Sequence, residues 1–283
     1  MDDPVTMRRR LRTELKRLRL VEGLTQRQAA EQLDWSLSKI IRIENGTNGL
    51  STTDLRALLT LYGITCPNDI NQLVLLARYS RRLPFSDLRD VLPAEAVRFF
   101  GYEASASVIR QVQPLIVPGL LQTTEYARSI LDILEGDEHR VARLLESRRE
   151  RLKLLAQKVE PPLLSCILDE AVLRRAVGGR AVMVRQLEHL MEMSARPNVE
   201  IRMLPFDLGG HRAVRGPFIV LEFADASDLP LLYLEDQRGS STFEDDPDVV
   251  TAFLEMFLDL ERRASAPDRL PLYVERALRE LSE

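Results

Sequence analysis

The sequence predicts an all-α domain of five helices over residues 1–83, followed by an α+β domain over residues 84–283. In the first range apolar residues recur at helical spacing, and in the second short alternating segments lie between helical ones. The charge divides at the same point. Residues 1–83 carry 14 Lys and Arg against 9 Asp and Glu, whereas residues 84–283 carry 25 against 34. This division indicates that only the N-terminal part meets a polyanion.

Composition and cysteine spacing argue against several classes of protein. Apolar residues make up 45% of the chain, enough to fill a core. Cys66 and Cys166 lie far apart and outside any CxxC or Cys/His pattern, so we expect no disulfide framework, no metal site and no cofactor. No apolar stretch follows the basic start MDDPVTMRRR, and no run of about 18 apolar residues occurs. We therefore expect a cytoplasmic protein without a signal peptide or a membrane span.

The first predicted helix covers residues 8–21 and ends at Gly23. Its apolar face carries Leu11, Leu15, Leu18 and Val21. Much of its remaining surface is covered by basic residues, among them Arg8, Arg9, Arg12, Lys16 and Arg19. For most of these we expect a solvated charged face.

Two short helices follow, separated by the break Asp34-Trp35-Ser36. Thr25 is a favourable N-cap for the first of them, in which Ala29 and Ala30 allow another helix to approach closely. Ser36 is the N-cap of the next, residues 37–44, which buries Ile40 and Ile43 and ends at Asn45-Gly46. A fourth helix follows Ser51, with Leu55, Leu58, Leu59 and Leu61 as its core, and a fifth runs from Pro67 to about Arg82.

Two short helices joined by a tight turn, with a longer helix on each side, form helix-turn-helix geometry over residues 8–62. The segment LTQRQAAEQLDWSLSKIIRIENG resembles the phage-repressor type of this motif, often called the Xre or Cro/C1 type. The matching residues are Leu24, Thr25, Gln26, Ala30, Ser36, Ile40, Ile43, Glu44, Asn45 and Gly46. Trp35 replaces a small apolar residue, and Asp34 replaces a turn glycine but tolerates left-handed backbone. The resemblance implies double-stranded DNA as a partner and a homodimer on paired half-sites.

In this geometry the helix of residues 37–44 enters the major groove. Because Ile40 and Ile43 face inward, Leu37, Ser38 and Arg42 point outward, and Lys39 does so in part. Arg42 can pair with a guanine, and Leu37 can contact a thymine methyl group. For Ser38 and Lys39, a base contact and a phosphate contact both remain open.

Residues that flank this helix are candidates for further DNA contacts. They are Gln26, Ser36, Asn45, Thr47 and Asn48. Gln26 contacts the DNA backbone in relatives, and the free amides of a helix N-terminus suit a phosphate. Asn45 can equally serve only as a C-cap. We expect Glu44 to pair within the fold, since a carboxylate repels phosphate.

Beyond a connection at residues 83–93, predicted strands and helices alternate, which indicates the α+β domain. The predicted strands are residues 107–112, 163–168, 199–204, 217–224 and 230–235. The predicted helices are residues 120–134, 138–158, a short one capped by Asp169, and residues 180–195, 247–263 and 268–282.

The order of these elements also resembles a known arrangement. Residues 117–123 (VPGLLQT) and the pair Asp169-Glu170 before Leu173 are its most specific marks. They resemble a domain of uncharacterised function that follows Xre-type units in many actinobacterial regulators. The resemblance implies a transcriptional regulator, sometimes with a small partner protein in an antitoxin-like arrangement.

No pattern in the C-terminal part predicts an enzyme. Ser240-Ser241 lacks the G-x-S-x-G elbow, and no phosphate-binding GxxxxGK[ST] segment occurs. His139 and His189 lie on predicted helices, whereas His211 and Arg212 lie in a glycine-containing loop and are the candidates for ligand binding. Two roles remain, a small-molecule sensor and a module for dimerisation and partner binding. We favour the second, because the resemblance implies a partner protein.

Overall fold

The computed structural model describes residues 4–45, 50–79, 85, 88, 90–225, 228–235 and 241–282. The chain divides into two compact units. The first comprises residues 1–89 and 100–105, and the second comprises residues 90–99 and 106–283.

The described residues from 4 to 79 in the first unit form five α-helices, as the sequence predicts. They are α1 (Pro4–Val21), α2 (Gln26–Gln32), α3 (Leu37–Glu44), α4 (Thr52–Leu61) and α5 (Pro67–Tyr79). Their apolar faces meet in one core, which includes Leu11, Leu15, Ala30, Ile40, Leu55, Leu58 and Leu59. Each apolar face follows the 3.6-residue helical period, so the amphipathic pattern specifies this unit. Residues 80–82, where the fifth helix was expected to continue, lie outside the described part.

The turn between α2 and α3 has the left-handed backbone expected at Asp34, with φ of 55°. Glycine is the usual residue at such a position, and aspartate is among the few others that adopt it at low cost. The next residue, Trp35, donates its backbone N–H to Ala30 O at 2.9 Å. This hydrogen bond closes the turn and sets the direction in which α3 begins.

The solvated charged face predicted for α1 is wrong for four of the five basic residues named for it. Arg8, Arg9, Arg12 and Arg19 are buried, and Lys16 is exposed. Arginine covers apolar surface with its methylene stem and carries five donors for internal acceptors. Arg19 pairs with a buried carboxylate on α3, and Arg12 Nη1 donates to the Asn45 carbonyl at 3.3 Å.

The second unit is α+β, as predicted. Its strands are β1 (Val108–Gln113), β2 (Leu163–Asp169), β3 (Val199–Leu204), β4 (Phe218–Glu222), β5 (Leu231–Glu235) and β6 (Ser241–Glu244). They form one sheet in the order β3-β2-β1-β4-β5-β6. The β1, β2 and β3 strands are parallel, and the remaining pairs are antiparallel.

The described residues contain seven further α-helices. They are α6 (Ala94–Ser105), α7 (Thr124–Leu134), α8 (Glu138–Ala156), α9 (Ala171–Arg174), α10 (Arg180–Ser194), α11 (Pro247–Arg263) and α12 (Leu270–Ser282). Buried side chains of α11, among them Phe257 and Leu260, share one core with Ile167, Phe218 and Val220 of the sheet. None of the helices in the described ranges is long and apolar enough to cross a membrane.

Among the elements that differ from the sequence prediction are one helix and one strand of the second unit. The helix expected from residue 120 begins at Thr124, because Gln122 is extended and its side-chain amide donates to the Val117 carbonyl at 2.6 Å. Thr123 is the N-cap instead, accepting from the Tyr126 backbone N–H. The β6 strand, which has four residues and pairs with β5, was not predicted.

Candidate nucleic-acid interface

The two short helices begin at well-formed caps. The Thr25 hydroxyl accepts from the Gln28 backbone N–H, and the Gln28 side chain accepts from the Thr25 backbone N–H in return. At α3, the Ser36 hydroxyl accepts from the Lys39 backbone N–H at 3.3 Å. Such caps satisfy the free amides of the first turn and fix where each helix begins.

The end of α3 is fixed by a buried ion pair. Arg19 of α1 donates from Nε and Nη2 to the two carboxylate oxygens of Glu44, at 2.6 and 3.0 Å. The two side chains are only 7% and 4% exposed. Arg19 Nη1 also donates to the Leu24 carbonyl at 2.6 Å. Glu44 therefore pairs within the fold, as the sequence predicts.

Gln26, the first residue of α2, joins this network. Its Nε2 donates to Glu44 Oε2 at 2.8 Å. The Glu44 carboxylate also acts on Tyr62. Burial is the main cause that raises the pKa of Tyr62 to about 12, and the negative charge of Glu44 contributes to the rise. The hydrogen bonds from Arg19 and Gln26 hold the C-terminal end of α3 against α1 and α2.

The outward face of α3 is polar and accessible. Ser38 and Arg42 are exposed, as are Ser36 and Asn45 at the two ends of the helix. Leu37 and Lys39 are half-buried. The two inward isoleucines, Ile40 and Ile43, lie in the core as predicted. Arg42 Nε donates to the Ser38 carbonyl at 3.2 Å, so the guanidinium group extends along the exposed face.

Lys39 makes contacts that the sequence analysis did not foresee. Its ammonium group lies 2.7 Å from Asp54 Oδ1 of α4 and 3.5 Å from the centre of the Trp35 ring. Its side chain is 34% exposed. Asn45 caps α3 through its backbone N–H, while its side chain faces solvent. Thr47 and Asn48, the remaining predicted contacts, lie outside the described residues.

The loop between β3 and β4 contains the second candidate site. His211 Nε2 lies 3.1 Å from Asp169 Oδ2 at the carboxyl end of β2, and the His211 side chain is 5% exposed. A carboxylate only accepts, so Nε2 carries the hydrogen when Asp169 is ionised. His211 Nδ1 is buried and has no hydrogen-bond partner among the described residues. Arg212, the neighbouring candidate, is exposed.

The two carboxylates at the end of β2 have different roles. Asp169 Oδ1 also accepts from the Ala171 backbone N–H at 2.8 Å, but the N-cap of the short helix is Glu170 and not Asp169 as predicted. Glu170 is buried and accepts from Arg174 and from the Phe206 backbone N–H. This pair stands out in the sequence, but the contact between Asp169 and His211 was not predicted.

The short helices α2 and α3, the left-handed turn at Asp34 and the flanking helices together form a helix-turn-helix unit, which is a DNA-binding class of structure. Residues 10–73 match the family described as "Helix-turn-helix domain". Residues 97–269 match the family described as "Domain of unknown function (DUF5753)". The chain belongs to this DUF5753 family. Neither the curated proteins nor the solved structures include a match.

Proposed function

We propose that this protein is a sequence-specific transcriptional regulator of the phage-repressor (Xre) type that reads the major groove with α3. The observation that carries the proposal is the division of α3 into two faces. Ile40 and Ile43 lie in the core, while Ser38 and Arg42 are exposed. A helix with this division can enter the groove without uncovering apolar surface.

Within this proposal, each predicted contact has a chemical role. Arg42 pairs with guanine O6 and N7, and Leu37 contacts a thymine methyl group, while Ser38 donates to a base or a phosphate. Ser36, Asn45, Thr47 and Asn48 supply phosphate contacts at the ends of α3.

Gln26 is suited to a phosphate contact because its amide is already oriented. The side-chain amide nitrogen carries two hydrogens, and one of them goes to Glu44. The second hydrogen is then available to a DNA phosphate without loss of the first hydrogen bond.

The test is selection of DNA from a random duplex library by the full-length protein, followed by measurement of Kd for the selected duplex and a scrambled duplex of equal length. We expect the selected duplex to bind at least about 10³-fold more tightly at physiological salt, the lower end for specific binders. Equal affinities for both duplexes would contradict the proposal.

For the second unit we propose dimerisation and binding of a small partner protein in the cytoplasm, without catalysis. The support is the resemblance of residues 117–123 to regulators that sometimes have such partners. Exposed apolar side chains at the end of α7, Ile133 and Leu134, add surface that a protein contact would cover. Sedimentation velocity of the full chain tests the dimer, and a monomer at all concentrations would contradict it.

A second candidate for this unit is a small-molecule sensor. It is favoured by His211 Nδ1, which is buried and has no hydrogen-bond partner in the described part of the chain. A ligand with a hydroxyl or amide group could donate to this nitrogen. The test is the melting temperature of the full chain with a panel of amino acids, nucleotides and sugars. A sensor predicts a shift that His211→Ala abolishes and His139→Ala, an exposed control, retains. An unchanged melting temperature with every compound of the panel would contradict the sensor.

A further inference from the structure

Lys39 occupies the part of the proposed DNA-binding face where α3 meets α4. Its ammonium group is paired with the Asp54 carboxylate at 2.7 Å and lies over the Trp35 ring at 3.5 Å from the ring centre. Both contacts involve the same nitrogen atom. The Asp54 carboxylate and the Trp35 ring therefore compensate the positive charge of Lys39 within the protein.

Both partners of Lys39 are themselves fixed. Trp35 packs against the core of the first unit, and its backbone N–H closes the turn before α3. Asp54 lies in the first turn of α4, where its backbone N–H donates to the Ser51 hydroxyl at 3.0 Å. A carboxylate at this position is also favoured by the helix dipole. The three side chains thus link the turn, α3 and α4 independently of the chain segment between the two helices.

We propose that Lys39 is a positioning residue that sets the angle of α3 against α4, and not a phosphate contact. This inference rests on the proposed function and deepens it. Moving the ammonium group to a DNA phosphate would leave the Asp54 carboxylate unpaired beside a polyanion and would uncover the Trp35 ring. Neither loss occurs if Lys39 keeps its contacts when DNA binds.

A phosphate contact and a positioning role for Lys39 predict different effects of salt concentration on DNA binding. Each lysine that neutralises a phosphate adds about 0.9 to the slope of log Kd against log salt concentration. A positioning residue adds nothing to this slope. Its loss instead lowers the ratio between the Kd of the scrambled duplex and that of the selected duplex, because α3 no longer presents Arg42 and Ser38 at a fixed angle.

The experiment measures the salt slope and the Kd ratio with the full-length protein and the selected and scrambled duplexes. The variants are Lys39→Met, Asp54→Asn and the double variant, and Lys153→Met, an exposed lysine of α8, controls for the loss of one charge. We expect Lys39→Met and Asp54→Asn each to lower the Kd ratio about 5-fold, near the smallest discrimination ascribed to one base contact. The double variant should be no worse than the worse single variant, and all salt slopes should equal that of the wild type.

Two results would overturn the inference. One is a fall of about 0.9 in the salt slope of Lys39→Met, which would identify a phosphate contact. The other is an unchanged Kd ratio for Asp54→Asn. Lys39→Arg, which keeps both the charge and the ring contact, should retain the wild-type ratio and serves as the test if Lys39→Met does not fold. A wild-type protein with equal Kd for both duplexes would instead overturn the proposed function, and this inference with it.

Discussion

Removal of the Glu44 carboxylate is expected to destabilise the first unit severely. In Glu44→Ala, the guanidinium group of Arg19 loses both carboxylate hydrogen bonds and keeps its bond to the Leu24 carbonyl. Gln26 loses its acceptor as well. The variant therefore leaves a charge in a site where the Arg19 side chain is only 7% exposed.

The expected magnitude follows from this burial. Breaking a buried ion pair by removing one partner costs about 3–5 kcal/mol. For a domain of this size, about 1 kcal/mol changes Tm by about 4–8 °C, so Glu44→Ala should lower Tm by at least about 12 °C. A matched control is Glu14→Ala on α1. Glu14 pairs with Arg17 at 2.7 Å, but their side chains are 36% and 58% exposed, so the cost should stay below about 1 kcal/mol.

The assay is thermal unfolding followed by tryptophan fluorescence. Trp35 is the single tryptophan of the chain and packs against the core of the first unit, so its emission reports on that unit. The double variant Arg19→Met with Glu44→Leu should recover most of the loss, because apolar residues of similar volume often replace a buried ion pair without net cost. A Tm for Glu44→Ala within about 4 °C of the wild type, or equal to that of Glu14→Ala, would refute the reasoning.

Three further predictions follow from single residues. Ellman's reagent should label Cys66 in the native protein and Cys166 only after unfolding, because Cys66 is exposed while burial raises the pKa of the Cys166 thiol; equal rates would contradict this. Folding favours the neutral phenol of Tyr62, whose pKa rises from 10 to about 12. Its contribution to stability is therefore complete below pH 10 and is lost as the pH rises to about 12. Urea midpoints by Trp35 fluorescence should fall over this range, and less so in Tyr62→Phe. Asp34→Ala should cost about 1–2 kcal/mol and Asp34→Gly should not, since glycine adopts a φ of 55° without strain. Equal stabilities of these two variants would contradict the left-handed turn.

Local signals made most of the first unit predictable. Thr25, Ser36 and Ser51 are N-caps in the structure, as their residue types indicate. The turn at Asp34 and the inward face of α3 also follow from short-range chemistry. Each of these features depends on residues within about one helical turn, where propensity and capping dominate.

Contacts between distant residues were not predictable in the same way. Arg19 and Glu44 are 25 positions apart, and His211 and Asp169 are 42 apart. Nothing in the local pattern of α1 distinguishes a buried arginine from a solvated one, because the partner is set by tertiary packing. The β6 strand was missed for a related reason. It has only four residues, and its pairing with β5 defines it more than its own sequence does.

The central claim is that α3 reads base sequence through Arg42, and binding to a matched set of DNA duplexes tests it most directly. The set would start from the selected duplex and change one base pair at a time. We expect Arg42→Ala to lose discrimination at one position, by about 1–3 kcal/mol, and to keep it elsewhere. Gln26→Ala, in contrast, should weaken binding to every duplex alike. A uniform loss of affinity for Arg42→Ala across the whole set would contradict the claim.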